Sequence, residues 1–357
     1  MQNKKRITFF DATLREGGAE RVISLLSNAL VNEYEVSILL YYNDDIFYKI
    51  NENINIVCVE KQTNSKNIIK NIPFIKKYFK NNSDLIISFL APFNMLALLA
   101  NKNNNVPIIV ADRNDPRYIP TNSLIRNIRN YMYEKYADCI VVQTLNNKNY
   151  FNDKTKHKIK IIENPVDIKE LAGKAITTEK TKKIVSVGRL VPQKNQKMLI
   201  NAFKIFHNSN CDYKLEIYGE GELRKELEKF IDDLGMSDCV FLLGNDKNVH
   251  SRILDANLFV LSSNYEGMPN SLIEAMCLGL PVISTKVSGA NELIKDGHNG
   301  LLVNINDVDE LTKKMQDLVN NEEKSACIAK NAIELNATLS VNNIINKWID
   351  IIINELK

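Results

Sequence analysis

The chain is poor in residues that build metal sites or covalent staples. Six cysteines, four histidines and one tryptophan are spread over 357 residues. No two cysteines form a CxxC pair, and the histidines form neither HxxxH nor HExxH. No metal site or disulfide framework is expected, and a reducing compartment is favoured. An excess of one charge is also lacking, since 46 basic and 43 acidic residues leave a net +3. A dedicated nucleic-acid binder shows a basic excess, so nucleic acid is not expected as a partner. No apolar run reaches the ~20 residues of a spanning helix. The longest, from Leu85 to Ala100, is broken by Pro92 and Asn94 and reads as a strand followed by a helix. The stretch Ile7 to Phe10 is too short for the core of a signal peptide, so a soluble or peripheral protein is expected. There is no Walker A loop, no G-x-G-x-x-G opening a helix and no G-x-S-x-G elbow. Those absences disfavour P-loop ATPases, dinucleotide oxidoreductases and α/β-hydrolases.

What is present is globular: 45% apolar and 25% charged residues. A chain of this length suggests about two domains. Apolar runs rich in Val, Ile and Leu occur at 6–11, 36–41, 54–59, 84–90, 107–111 and 139–143. They recur at 183–187, 214–218, 240–243, 258–261 and 281–284. Helix-like periodicity fills the gaps between many of them, notably 19–30, 193–207, 221–234 and 270–277. Such alternation predicts doubly wound α/β layers. A polar, lysine-rich interruption over 166–182 predicts a linker. It separates a first Rossmann-like domain at 1–165 from a second at 183–339, and residues 340–357 read as an amphipathic helix.

Three segments carry candidate chemistry. Arg15-Glu16-Gly17-Gly18-Ala19-Glu20-Arg21 follows the first strand and opens the first helix. Its glycines permit close backbone approach, and a helix N-terminus favours an anion, although an ordinary turn would read the same. Gly188-Arg189-Leu190-Val191-Pro192-Gln193-Lys194-Asn195 follows the strand at 183–187. Arg189 and Lys194 converge on one point if the loop folds back at Pro192, which suits a diphosphate; otherwise they are two solvated cations. Ser263-Asn264-Tyr265-Glu266-Gly267-Met268-Pro269-Asn270-Ser271-Leu272-Ile273-Glu274 follows the strand at 258–261. Glu266 lies on a Gly/Pro loop, Gly267 frees the backbone so that N–H groups over 267–269 can face a ligand, and a helix starts just beyond. A local alternative for Glu274 is a capping box with Ser271.

The spacing of Glu266 and Glu274 within Glu-Gly-Met-Pro-Asn-Ser-Leu-Ile-Glu resembles the signature of retaining glycosyltransferase family 4. Gly-Arg-Leu-Val-Pro-Gln-Lys-Asn, Ile-Tyr-Gly-Glu-Gly-Glu-Leu at 217–223, Phe-Leu-Leu-Gly at 241–244, Gly-Leu-Pro-Val-Ile-Ser at 279–284 and the N-terminal Gly-Gly-Ala-Glu-Arg match in order. The resemblance covers nearly the whole chain. It implies a GT-B fold, with two Rossmann-like domains facing across a cleft and the last helix crossing back to the first. It implies that Arg189 and Lys194 grip the diphosphate of a nucleotide-sugar, that Glu274 bonds the ribose, and that Glu266 with Gly267, Met268 and Pro269 holds the sugar. Gly219, Leu243, Gly244 and Asn245 would lie by the base, and Gly17 and Gly18 by the phosphates. The family is metal-independent, and the nucleotide-sugar, expected to be UDP-linked, is a substrate and not a cofactor. Retaining transfer through an oxocarbenium-like state follows from the same resemblance, with Glu266, Arg189 and Lys194 as the catalytic set. Rivals are another GT-B enzyme, such as a nucleotide-sugar epimerase, and a non-catalytic nucleotide-sugar-binding module.

Where many relatives carry a histidine, this chain reads Asp112-Arg113-Asn114-Asp115-Pro116, so Asp112, Arg113 and Asp115 are acceptor-side candidates without an assigned general base. Residues 61–80 contain six lysines and no acid. Lys66, Lys70, Lys76, Lys77 and Lys80, beside Ile68, Ile72, Ile75 and Phe79, suit an anionic membrane face, although Pro73 interrupts that pattern. A second stretch, 117–136, mixes Arg126, Arg129 and Lys135 with apolar and aromatic residues. The expected partner is then a polyisoprenyl-diphosphate-linked glycan, met at the inner face of a bacterial cell membrane by a cytoplasmic, peripheral enzyme. An N-acetylhexosamine is the expected sugar.

Overall fold

The computed structural model describes residues 4–15, 17–168 and 170–357. Glu16 and Lys169 therefore lie outside the described residues. The chain divides into two compact units, 1–165 with 341–357, and 166–340.

The first unit is built on seven parallel strands: β1 (Arg6–Asp11), β2 (Glu35–Leu40), β3 (Asn55–Cys58), β4 (Leu85–Phe89), β5 (Ile108–Ala111), β6 (Cys139–Val142) and β7 (Ile159–Ile161). Their order is β3-β2-β1-β4-β5-β6-β7. The second unit holds six: β8 (Lys183–Val187), β9 (Lys214–Tyr218), β10 (Val240–Gly244), β11 (Leu258–Leu261), β12 (Val282–Thr285) and β13 (Leu301–Val303). Their order is β10-β9-β8-β11-β12-β13. The second sheet runs 3-2-1-4-5-6, the dinucleotide-fold order, and the first runs the same way with a seventh strand added, so each has a switch point: β1/β4 in one and β8/β11 in the other. Both faces of each sheet are covered, which is why β4, β5, β6, β11 and β12 are buried at every position.

Short β7 and β13, three residues each, escaped the apolar-run criterion. The segment expected as a linker packs into the second unit. Val166 pairs with Ser340, and the short helix Lys174–Thr177 lies by the helix Asn270–Leu278. The last helix, Val341–Glu355, belongs to the first unit, burying Ile344, Trp348, Ile351 and Ile352; Trp348 lies on Phe89 at 5.7 Å. The helix Ile68–Asn82 runs unbroken through Pro73. Among the described residues, no helix is long and apolar enough to cross a membrane.

Candidate functional site

In the second unit, the loops that follow β8 and β11 meet at the switch point. After β8 the chain turns through a short 3-10 segment, Pro192–Lys194, and Asn195 takes a left-handed conformation with φ 48°. Asn tolerates this better than bulkier residues because its short polar side chain bonds locally. Here Asn195 Nδ2 donates to Asn264 Oδ1 at 3.0 Å and to Asn306 Oδ1 at 2.7 Å. The turn brings the two loops together. Asn264 N donates to the Gln193 carbonyl at 2.7 Å, Asn264 Nδ2 to the Pro192 carbonyl at 2.9 Å, and Ser262 Oγ to the Lys194 carbonyl at 2.9 Å.

That stitching places Lys194 Nζ 2.6 Å from Glu266 Oε1. Ser263 Oγ donates to the same oxygen at 2.7 Å, and Gln193 Nε2 reaches Oε2 at 3.2 Å. Glu266 is only 7% exposed, so its charge is balanced inside the protein by one cation and two neutral donors. Lys194 lies along Gly188, where an added Cβ would stand 3.2 Å from its Cε. Arg189 is exposed, and among the described residues no ion pair holds its guanidinium. Arg189 and Lys194 thus do not share a partner here: Lys194 turns inward to Glu266 and Arg189 stays at the surface.

Glu274 lies in the helix Asn270–Leu278, and His250 Nε2 stands 3.1 Å from its Oε2. The Ser271–Glu274 capping box does not form, because the helix begins two residues too early: its N-cap is Pro269, whose side chain makes no cap hydrogen bond. Pro269 has no N–H, so the backbone donors expected over 267–269 reduce to those of Gly267 and Met268. This loop rests on Gly289, where a Cβ would meet the Gly267 carbonyl at 2.4 Å. Across the sheet, Gly219 has φ 141° and receives β10: its N–H donates to the Gly244 carbonyl at 2.8 Å. A Cβ on Gly219 would lie 2.1 Å from the Gly188 carbonyl, so glycine is required there. Leu243 and Asn245 flank Gly244 and are exposed.

Sequence reasoning quoted Gln193 and Ser263 without giving them a role, and it missed His250 and Gly289. The first two stand inside the quoted motifs. Nothing local marks His250 or Gly289, which arrive by tertiary packing.

In the first unit, Gly17 takes extended backbone with φ −175° and caps the helix Gly18–Leu30. Its N–H is held by Tyr48 Oη at 3.2 Å, and Tyr48 donates back to the Gly17 carbonyl at 2.8 Å. The Glu20 carboxylate occupies the place where a side chain at 17 would stand, 2.2 Å from an added Cβ. Asp112 is buried beside Arg129, 3.5 Å away, and burial pushes its carboxyl above the usual range. Asp115 accepts from the Arg117 N–H at 2.9 Å and pairs with the Arg117 guanidinium at 3.2 Å. Both acids serve the loop's own structure. Arg113 is 8% exposed and bonds Asn164 Oδ1, which also accepts from Gln143 Nε2 at 2.6 Å. Burial lowers its pKa to about 9.

Arg129 does not belong to a basic surface. It is fully buried, donates to the carbonyls of Ile119 and Pro116, and lies over the rings of Tyr133, Tyr150 and Phe151. The lysines at 66, 70, 76, 77 and 80 are all exposed, whereas Ile75 and Phe79 face the core. Lys66 stands 3.4 Å from Glu60, an acid just upstream of the lysine-rich stretch.

Comparison with known proteins gives this geometry its context. Residues 16–170 match the family model described as Glycosyltransferase Family 4, and residues 167–335 match Glycosyl transferases group 1. A Campylobacter jejuni GalNAc-alpha-(1->4)-GalNAc-alpha-(1->3)-diNAcBac-PP-undecaprenol alpha-1,4-N-acetyl-D-galactosaminyltransferase is 31% identical over 97% of this chain and 98% of its own. The chain belongs to glycosyltransferase family 4. A second C. jejuni relative of this family 4 chain, an N-acetylgalactosamine-N,N'-diacetylbacillosaminyl-diphospho-undecaprenol 4-alpha-N-acetylgalactosaminyltransferase, is 31% identical over 89% of this chain and 91% of its own. Anabaena HepE, crystallised with UDP and glucose, superposes with a TM-score of 0.83 at 18% identity, covering 98% of this chain and 99% of that one. The family 4 protein therefore has the GT-B fold and is a glycosyltransferase, which removes the epimerase and binding-module alternatives.

Proposed function

We propose that this glycosyltransferase moves an N-acetylhexosamine from a UDP-linked donor to a polyisoprenyl-diphosphate-linked glycan, with retention and without a metal. The observation that carries the reading is the junction of Lys194 and Glu266. Two loops 72 residues apart in sequence place a mobile cation and a buried carboxylate at the carboxyl ends of β8 and β11, where nucleotides bind in such sheets.

Lys194 and Arg189 take the donor diphosphate and neutralise the charge that bond cleavage loads onto it. Lys194 must leave Glu266 to do so, and Ser263 and Gln193 continue to hold the carboxylate. Glu266 is then free to accept from sugar hydroxyls, with Gly267 and Met268 beside it. Glu274, oriented by His250, accepts from the ribose. Gly219 and residues 243–245 leave room for the base. The incoming hydroxyl attacks from the side of the leaving phosphate, so the anomeric configuration is kept.

The acceptor reading draws on both C. jejuni relatives, whose names specify polyprenyl-diphosphate glycans. Exposed Ile68 and Ile69 beside the five lysines, and exposed Leu124, Ile128 and Tyr131, suit a peripheral position on an anionic cytoplasmic membrane face. The product would enter a surface polysaccharide or a glycoprotein glycan.

The test is incubation with UDP-GalNAc or UDP-GlcNAc and an undecaprenyl-diphosphate oligosaccharide, followed by mass and anomer analysis of the product. One added hexosamine in α linkage, unaffected by EDTA, is expected; a β-linked product or loss of activity in EDTA overturns the mechanism. Replacing the five lysines with glutamate should end salt-sensitive sedimentation with anionic liposomes, since each lysine near the surface is worth about 1 kcal/mol. Unchanged sedimentation would make the segment a solvated face.

A further inference from the structure

Among the described residues, Arg113 is a buried cation at the carboxyl edge of the first sheet whose charge no carboxylate compensates. It follows β5, and its Nη2 bonds only the neutral Asn164, which also binds Gln143 at the end of β6. Its Nε and Nη1 are buried and have no hydrogen-bond partner. The guanidinium lies 6.0 Å over the Phe89 ring, so its underside is covered by the end of β4. Trp348, packed on the same Phe89, adds a third orphan donor, Nε1. The neighbouring acids are turned to other cations, Asp112 to Arg129 and Asp115 to Arg117. Burial alone depresses the Arg113 pKa, with no carboxylate working against it.

A buried guanidinium without a counter-ion is costly, and buried N–H groups are nearly always paired. Proteins keep such cost where a ligand repays it. The carboxyl edge is the ligand side of this sheet type. Arg is suited to planar or tetrahedral oxygen groups.

We propose that Arg113 anchors an oxyanion subsite in the first unit, taking a phosphate or carboxylate of the acceptor. This rests on the acceptor reading above and narrows it: the acceptor presents an anion to this unit. The source is either the diphosphate of the lipid carrier or the carboxylate of an acidic sugar.

The test uses the full-length enzyme saturated with UDP, so that Arg189 and Lys194 are engaged. Inorganic pyrophosphate and glucuronate are then titrated separately. Binding of pyrophosphate alone assigns the lipid diphosphate, and binding of glucuronate alone assigns an acidic sugar. Binding of neither overturns the proposal. Absence of UDP binding at the first step would instead count against the donor reading. Arg113→Met should weaken the bound probe about 10- to 100-fold while leaving the unliganded melting temperature equal or higher. A fall in melting temperature with unchanged probe affinity makes Arg113 structural and overturns the proposal. Asn164→Asp is the second variant, needed if Arg113→Met does not fold. It supplies an internal carboxylate to the same guanidinium, so it should raise the melting temperature and remove probe binding. Retained binding in Asn164→Asp contradicts the subsite.

Discussion

The two sheets share one strand order and one kind of switch point, yet they treat charge there in opposite ways. At β8/β11 the buried carboxylate is paired before any ligand arrives, Lys194 with Glu266, and His250 stands against Glu274, while Arg189 stays exposed. At β1/β4 and the adjoining end of β5, two buried charged groups are left open, although Asp112 and Asp115 pair with Arg129 and Arg117. Asp11 ends β1 fully buried with Oδ2 unpartnered, and Arg113 beyond β5 has two unpartnered nitrogens. A pre-paired site can hand its cation to a diphosphate and keep the carboxylate for the sugar. An unpaired site stores cost that only a ligand or a protonation change relieves. The same fold thus carries one switch point with a pre-paired buried carboxylate and another with buried charged groups left open.

Mutation can break this contrast, and the largest effect should come from a fully buried network in the first unit. Arg129→Ala removes a fully buried cation from Asp112, two carbonyls and three rings. Breaking a buried pair costs about 3–5 kcal/mol. At about 2–4 °C per kcal/mol for a domain of this size, thermal melting should shift downward by roughly 6–20 °C. A shift below about 2 °C would mean that the network contributes little.

Next come the donor cations. Lys194→Ala and Arg189→Ala should each reduce transfer by roughly 10- to 150-fold, the worth of a charge-assisted hydrogen bond at about 1.5–3 kcal/mol. Lys194→Ala should be the worse of the two, because it also strips Glu266 of its cation. Steady-state kinetics on both variants checks the order, and equal turnover to wild type in both would dissolve the diphosphate assignment.

A smaller effect tests the open end. Burial raises the Asp11 carboxyl well above its ordinary value of 3.8. A carboxyl raised in the folded state favours folding while protonated, and that advantage is lost as pH climbs from its ordinary value through the raised one. Asp11→Asn should therefore raise the melting temperature at pH 7 to 8 and change little near pH 4. A variant less stable at neutral pH would show that the charged form is held by contacts.

Much of the β8/β11 junction was legible in sequence because its parts are local. Loops that carry Gly188 to Asn195 and Ser263 to Glu274 each follow a strand, and their side chains face one another once the strands pair. The pairing of Lys194 with Glu266 was not legible, since convergence of Arg189 and Lys194 on one point suited the spacing equally well. Charge pattern misled in the first unit. Arg129 sits among aromatics at helical spacing, as a membrane-facing cation would, but its rings include Tyr150 and Phe151 from another part of the chain. The isolation of Arg113 depends on Asn164, 51 residues away, and on Phe89 beneath it, neither of which its own segment announces.

The division of labour between the two glutamates tests the account most directly, by calorimetric titration of UDP into Glu274→Gln and Glu266→Gln. Glu274→Gln should weaken UDP binding, because it removes the ribose acceptor. Glu266→Gln should leave UDP affinity equal or tighter, because it releases Lys194 to the diphosphate while turnover falls. Equal losses of UDP affinity in both variants, or none in Glu274→Gln, would contradict the proposed roles of the donor end.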